Sequence, residues 1–266
     1  MVKNKLALFG CVVLLIMILS AVFAPILARY DPDDLVDDPL LAPSASHLFG
    51  TDELGRDMFS RAVFGARISL SIGVVAVVIS LTIGILIGSV AGYFGGFVDS
   101  LIMRFVDAML AFPTIFLILS IQAILNPNIY NVMIVIGATS WMGVSRLVRG
   151  EFLSIKQRSY IEAARSIGCS NSRIIFRHIL PNAMAPVIVA ATLGIAGAIL
   201  TESALSFLGM GVQPPMSSWG NMLMDASAYM QDAWWIAVFP GLLIFISVLS
   251  IYFVGEGIRE ALNPKG

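Results

Sequence analysis

The sequence predicts an all-α membrane protein of six transmembrane helices, with a basic helical segment on the cytoplasmic side between the fourth and fifth. Three observations carry this reading. The chain is 58% hydrophobic and only 12% charged, with a mean hydropathy of +0.90, whereas about a quarter of the residues of a soluble domain are charged. Six apolar runs fall at 6–24, 68–93, 101–125, 129–147, 183–205 and 235–254, each close to the roughly 20 helical residues needed to cross the hydrocarbon layer. With the N-terminus inside, all but four of the 16 Lys and Arg fall on inner segments, the exceptions being Arg29, Arg56, Arg61 and Arg67. That bias puts both termini in the cytoplasm.

Residues 1–24 read as a short cytoplasmic tip and the first transmembrane helix. Lys3 and Lys5 before an apolar run resemble a signal peptide, but Pro25 follows Ala24 and no small-residue cleavage site is present, so the helix is expected to be retained. Residues 25–67 form an outer loop. Asp31, Asp33, Asp34, Asp37 and Asp38 lie between Pro32, Pro39 and Pro43, a pattern that favours solvated turns over a cation site. Thr51 is expected to cap a helix lying at the outer interface, laced by Asp52, Glu53, Arg56, Asp57 and Arg61 at helical spacing.

Residues 68–257 hold the other five spans. Gly84, Gly88 and Gly92 stand four apart and give one smooth ridge for a neighbouring helix. Gly95 and Gly96 make a tight turn, Arg104 and Asp107 are spaced for a local ion pair, and Pro113 should kink the third span. Within 158–182, reading RSYIEAARSIGCSNSRIIFRHILPN, Ile161, Ala164 and Ile167 share one face, and Ile174, Ile175 and Ile179 another. Two short amphipathic helices joined near Gly168 would turn these stripes to the bilayer surface or to a partner protein.

Glu202, at the outer end of the fifth span, is expected to make a helix-end hydrogen bond near the interface. Ser217 or Ser218 can cap a short helix running to about Tyr229, and Trp219, Trp234 and Trp235 suit the headgroup region. Met210, Met216, Met222, Met224 and Met230 read as gap fillers rather than a soft-metal site. Residues 258–266 read as a cytoplasmic tail.

Several chemistries are excluded. The two histidines, His47 and His178, fall on opposite sides of the membrane, so no Ser/His/Asp triad forms. Cys11 and Cys169 lack metal-ligand spacing and read as reduced and inert. None of Lys3, Lys5, Lys156 and Lys265 follows a glycine, so the G-K-[ST] core of a phosphate loop is missing, and any ATP must be held by another subunit. A membrane enzyme would have to work with Glu202, Asp225 and Asp232, which lack a nucleophile or base partner. No nucleic-acid partner is suggested.

Glu162, Ala163 and Ala164, then Gly168, then Leu180 and Pro181 resemble the EAA signature of the membrane subunits of bacterial or archaeal ATP-binding-cassette importers. His178 stands where the general pattern has isoleucine, and the RHILPN ending resembles the dipeptide, oligopeptide and nickel branch. The stretch from Gly50 to Gly73, and ESALSFLGMGVQPP with the following SSWGNML, are similar to the "C" type permeases of that branch. The resemblance implies the type I importer transmembrane fold in an inner or plasma membrane. It also implies a coupling helix within 158–182 that docks on an ATPase through Glu162, Ala163, Ala164, Ile161, Ile167 and Gly168, with Leu180 and Pro181. Implied partners are a second homologous permease forming a heterodimer, two cytoplasmic ATPases carrying ATP and Mg, an external substrate-binding protein, and lipid. The chain itself is expected to hold no catalytic residue, metal or cofactor. Peptides are the expected cargo, with nickel or a nickel chelate as the alternative; an integral-membrane enzyme and a non-transporting membrane partner are the remaining rivals. No residue is assigned to cargo.

Overall fold

The computed structural model describes residues 4–262, so Lys3 and Lys265 of the charge count lie outside the described residues. The chain forms α1 (Lys5–Val22), a single turn α2 (Ala24–Leu27), α3 (Met58–Phe94), α4 (Gly96–Ala111), α5 (Thr114–Ile124), α6 (Ile129–Lys156) and α7 (Ser159–Ser166). A helical run then continues through α8 (Asn171–Arg173), a π-helical turn (Ile174–Ile179) and α9 (Leu180–Phe207), and α10 (Trp219–Tyr229) and α11 (Trp235–Leu262) complete the described chain. Among the described residues five helices are long and apolar enough to cross a membrane, and the pair α4–α5, bent by 82°, makes a sixth if counted as one broken span. The bend is far larger than a proline kink inside one helix. Phe112, forced to extended backbone (φ −87°, ψ 131°) by the proline after it, ends α4, and Pro113 caps α5.

The core lies between α3, α6 and α9, where Ile72, Ile136 and Leu205 are buried, with Ile118 of α5 against them. The glycine ridge of α3 makes this approach possible. A Cβ on Gly84 would sit 2.6 Å from the Cβ of Val144, and one on Gly92 would sit 2.6 Å from that of Phe152. The helix α1 packs on α11, with Phe9 and Phe253 edge to face at 6.5 Å. Asn4, the N-cap of α1, donates to Glu260 at 2.9 Å, so both ends of the described chain meet on one side. The last helix runs on to Leu262, into the stretch expected as a tail.

The end of the molecule that holds α10 corrects several expectations. No helix starts at Thr51: its hydroxyl donates to Asp38 O and accepts from the Leu41 N–H, both at 2.8 Å, and α3 begins at Met58 behind the N-cap Asp57. The charges expected as a surface lace are interior. Asp52 is fully buried and accepts from the Arg56 guanidinium at 2.7 Å and from Arg61, whose Nε also donates to Ser217 at 3.2 Å. His47 is buried against Asp57 (2.9 Å) and Asp37 (3.4 Å) and stacks on Tyr30 at 5.2 Å. Buried charge persists only when paired, and here the pairing braces the loop onto α3.

Trp219 and Trp235 are likewise buried rather than at a headgroup surface, donating through Nε1 to Ala62 O (3.0 Å) and Thr51 O (3.1 Å); Trp234 is exposed. The cap expected for α10 forms at Ser218, as a box with Asn221. Met222 fills a gap beside Met58 and Trp235. Asp107 pairs with Arg146 of α6 rather than with Arg104.

Glu202 makes a hydrogen bond at the end of its helix, as expected, but does so fully buried among three elements. It accepts from Ser206 at 2.7 Å, Ser218 at 2.8 Å and, weakly, Ser69 at 3.5 Å. Those hydroxyls accept in turn from the N–H groups of Val212, Asn221 and Trp219. Three backbone dipoles are thus relayed onto one carboxylate, which joins α3, α9 and the start of α10.

Candidate functional site

The site is the hairpin that leads from α6 through α7 into α8. The helix α6 overshoots its expected end and reaches Lys156, and Arg158 turns to extended backbone (φ −77°, ψ 143°) to start α7. Eight residues later α7 stops in a Schellman motif: Gly168, at φ +80°, donates to Arg165 O at 2.9 Å and Cys169 donates to Ala164 O at 3.0 Å. Glycine adopts that left-handed backbone without cost, and the two bonds satisfy carbonyls the helix end would otherwise leave open. Ser170 then caps α8, so the chain re-enters a helix at once.

The three apolar residues expected on one docking face of α7 are divided by the structure. Ile161 (0% exposed) and Ala164 (7%) face inward, where they pack in a cluster with Phe152 and Ile155 of α6 and with Ile174 and Ile179. Ile167, at the C-cap, is 81% exposed. Glu162, Ala163 and Gly168 are exposed with it. The stripe at 174, 175 and 179 is likewise inward, with Ile174 and Ile179 fully buried. The apolar pattern therefore seats the hairpin on its own protein, and the outer side of α7 presents Tyr160, Glu162, Ala163, Arg165 and Ser166, with Ile167 at its C-cap.

Nor is the second arm a separate short helix. Leu180 N–H bonds to Ile175 O, five residues back, and the helix continues through Pro181 into α9. Pro181 has no N–H to give and its ring crowds the preceding turn, so a widened π turn before it keeps the helix going. Leu180 and Pro181 thus hold the joint between hairpin and membrane span.

Tyr93, the penultimate residue of α3, is buried at the base of the hairpin and meets three other elements. Its hydroxyl donates to Asn171 Oδ1 at 2.6 Å, and its carbonyl accepts from Lys156 Nζ. Lys156 and Arg165 stand over its ring, 5.6 and 6.0 Å from the centroid. The partners lie 63 or more residues away in sequence, so only the position of Tyr93 directly after the glycine ridge hinted at it. Losing the hydroxyl bond and the ring contacts should release about 1–2 kcal/mol. Tyr93→Leu is expected to speed tryptic cleavage at Arg165 severalfold in the folded protein, and an unchanged rate would show that Tyr93 does not hold the hairpin.

One turn back along α6 from Phe152, Arg149 makes a two-point contact to Asp99 of α4, one arm at 2.6 Å. With Asp107–Arg146 this latches α4, which otherwise buries only Val106, onto the helix that carries the hairpin. Among the described residues no group of three or more His, Cys, Asp and Glu is placed to hold a metal.

Residues 84–265 match the family described as "Binding-protein-dependent transport system inner membrane component", and residues 1–43 match the "N-terminal TM domain of oligopeptide transport permease C". The chain is 47% identical to the dipeptide transport system permease protein DppC of Alkalihalophilus pseudofirmus, over 99% of this chain and 87% of that one. It is 46% identical to the di/tripeptide transport system permease protein DppC of Pseudomonas aeruginosa (98% and 89% covered), and 40% identical to the oligopeptide transport system permease protein OppC of Bacillus subtilis (99% and 87%). Its fold is similar to that of a chain from inward-facing structures of the MetNI methionine ABC transporter, with a TM-score of 0.64 at 18% identity, over 76% of this chain and 95% of that one.

Proposed function

Because the chain belongs to the family of binding-protein-dependent transport system inner-membrane components, we propose that it forms half of the translocation pathway of an ATP-driven peptide importer and docks a cytoplasmic ATPase through the outer side of α7. It is a multi-pass inner-membrane permease subunit, and ATP hydrolysis belongs to separate subunits. Peptide cargo is carried over from relatives named for dipeptide, di/tripeptide and oligopeptide transport. The positive-inside bias of the sequence supports a cytoplasmic α7 side. The expected assembly is a heterodimer with a second permease, two ATPases that carry ATP and Mg, and an external substrate-binding protein.

The observation that carries the reading is the two-sided geometry of α7. Its inner face, Ile161 and Ala164, is locked into the cluster formed with α6 and the base of α9, so a force on the helix passes into two membrane spans without slack. The exposed side presents Glu162, Ala163 and Ile167 beside Gly168. Small residues there permit close approach, Ile167 supplies an apolar contact and Glu162 a charged one. Closure of the ATPases would move α7 and rock the spans about the α3–α6 seam, opening the path to each side in turn. Such motion performs work only if its states differ in affinity for ATP and cargo.

The test is reconstitution of the complete transporter in vesicles with its binding protein. Dipeptide accumulation that needs ATP, and ATP hydrolysis stimulated by peptide-loaded binding protein, are expected. An assembled complex that hydrolyses ATP yet accumulates no peptide would contradict the cargo, and a chain that never associates with an ATPase would contradict the function.

A further inference from the structure

One unpaired cation on the outside of α4 stands at the depth of a membrane surface. Arg67 of α3 is exposed and precedes the apolar run that begins at Ile68. About 20 helical residues further on, near Gly88, the other edge of the hydrocarbon layer falls. Gly88 meets α6 between Ser145 and Val148, so Arg146 and Arg149 lie at that edge, where they hold Asp107 and Asp99 of α4. Arg104 lies between these two aspartates along α4, at the same depth.

Arg146 and Arg149 are spent on carboxylates, but the guanidinium of Arg104 makes no hydrogen bond or ion pair among the described residues. It shares the exposed face of α4 with Phe97, Leu101, Phe105 and Ala108, which recur at helical spacing. A cation on an apolar face at this depth needs a counter-ion. Beside it α3 and α4 leave a groove of about 550 Å³, lined by Leu86, Ile87, Val90, Leu101, Ile102 and Phe105. Side chains lean toward the N-terminus of their helix, and α4 starts at Gly96, next to the base of the hairpin. Arg104 therefore reaches out toward the headgroup layer on the α7 side, while the groove lies in the hydrocarbon.

Both halves of a phospholipid are matched here, the phosphate by the guanidinium and an acyl chain by the groove. A helix of another subunit is matched poorly, because helices seat on one another in a bilayer where small residues let the backbones approach, and the groove has none. A headgroup without an ammonium leaves the phosphate charge whole for Arg104. We propose that the α3–α4 groove and Arg104 form a site for a phospholipid of net negative charge, taken from the leaflet on the α7 side. Under the orientation given above, that leaflet is the inner one.

The test uses the complete transporter in phosphatidylcholine vesicles with a trace of phosphatidylglycerol, or of phosphatidylcholine, that carries a photoreactive diazirine in one acyl chain. After irradiation the lipid adducts are located by mass spectrometry. Adducts within 86–105 are expected to be at least fivefold more abundant with phosphatidylglycerol. Arg104→Gln should abolish that preference and Arg104→Lys should keep it. Leu101→Trp, which fills the groove, should cut the phosphatidylglycerol adducts at least fivefold. Gly150→Leu of α6, where nothing lies within 4 Å of the added Cβ, should leave them unchanged. Three results would overturn the site: equal adducts from the two lipids in the wild type, as for unselective surrounding lipid; a preference that survives Arg104→Gln; or no adducts here in the complete transporter, as for the seat of another subunit. The wild-type comparison needs no variant to fold. None of these results depends on peptide uptake, so the site and the proposed function fail separately.

Discussion

Replacing Gly88 with leucine is expected to leave little folded permease in the membrane. Gly84, Gly88 and Gly92 of α3 meet Val144, Val148 and Phe152 of α6 in step, so both helices run the same way and touch every four residues. A Cβ on Gly88 would lie 2.9 Å from the Cβ of Val148 and closer still to the Ser145 carbonyl oxygen. These neighbours are backbone or directly bonded to it, so no rotamer change relieves the clash and the helices must part. In a bilayer, where packing rather than the hydrophobic effect holds helices together, parting loses dispersion contacts along the whole seam. Overpacking of this kind costs about 3 kcal/mol. Detergent-extracted yield and unfolding rate measure it: Gly88→Leu should be depleted or unfold at least tenfold faster, while Gly150→Leu should behave as wild type. Near-normal yield for Gly88→Leu would mean that the α3–α6 seam is looser than described.

The second large effect is functional, with folding intact. Glu162 is exposed and makes no ion pair among the described residues, so Glu162→Arg should insert and assemble its spans normally. Reversing a charge inside a docked interface costs several kcal/mol, and about 1.4 kcal/mol is already a factor of ten. ATP hydrolysis stimulated by peptide-loaded binding protein is therefore expected to drop at least tenfold. Gly168→Val should give a similar loss by another route, since valine at φ +80° is strained by about 1–2 kcal/mol and the Schellman bonds that fix the end of α7 would break. Stimulated hydrolysis at the wild-type rate in both variants would rule out α7 as the coupling element.

How much the sequence revealed depended on whether the determining contact was local. Apolar length located the membrane spans, the proline rule marked Pro113 as a bend, the glycine spacing announced a close helix contact without naming α6, and a cap at Ser217 or Ser218 was readable because capping is local. Periodicity also found the apolar face of Ile161 and Ala164. It could not say whether that face served a foreign protein or the chain's own core, because burial against Phe152 and Ile174 is a tertiary fact. The same limit hid the knot at the other end. Asp52, Arg56 and Arg61 have helical spacing and so read as a charged helix, yet Arg61 reaches Ser217, 156 residues on, and that contact makes the cluster interior. Glu202 was placed near water because it sits close to a helix end; the serines that enclose it come from three different elements. Tyr93 was missed for the same reason, as a buried hub is defined by partners that converge only after folding.

The inner side of α7 is core, and its outer side is proposed as the ATPase seat. Site-specific cross-linking from Ile167→Cys and Ala163→Cys in the assembled transporter tests this most directly, with Phe176→Cys, exposed on the neighbouring arm, as the comparison. The account predicts cross-links to the ATPase subunit from positions 163 and 167 that change in extent when ATP is bound, and weaker cross-linking from position 176. Cross-links from 176 alone, or none from α7 in a complex that still couples ATP hydrolysis to transport, would contradict it.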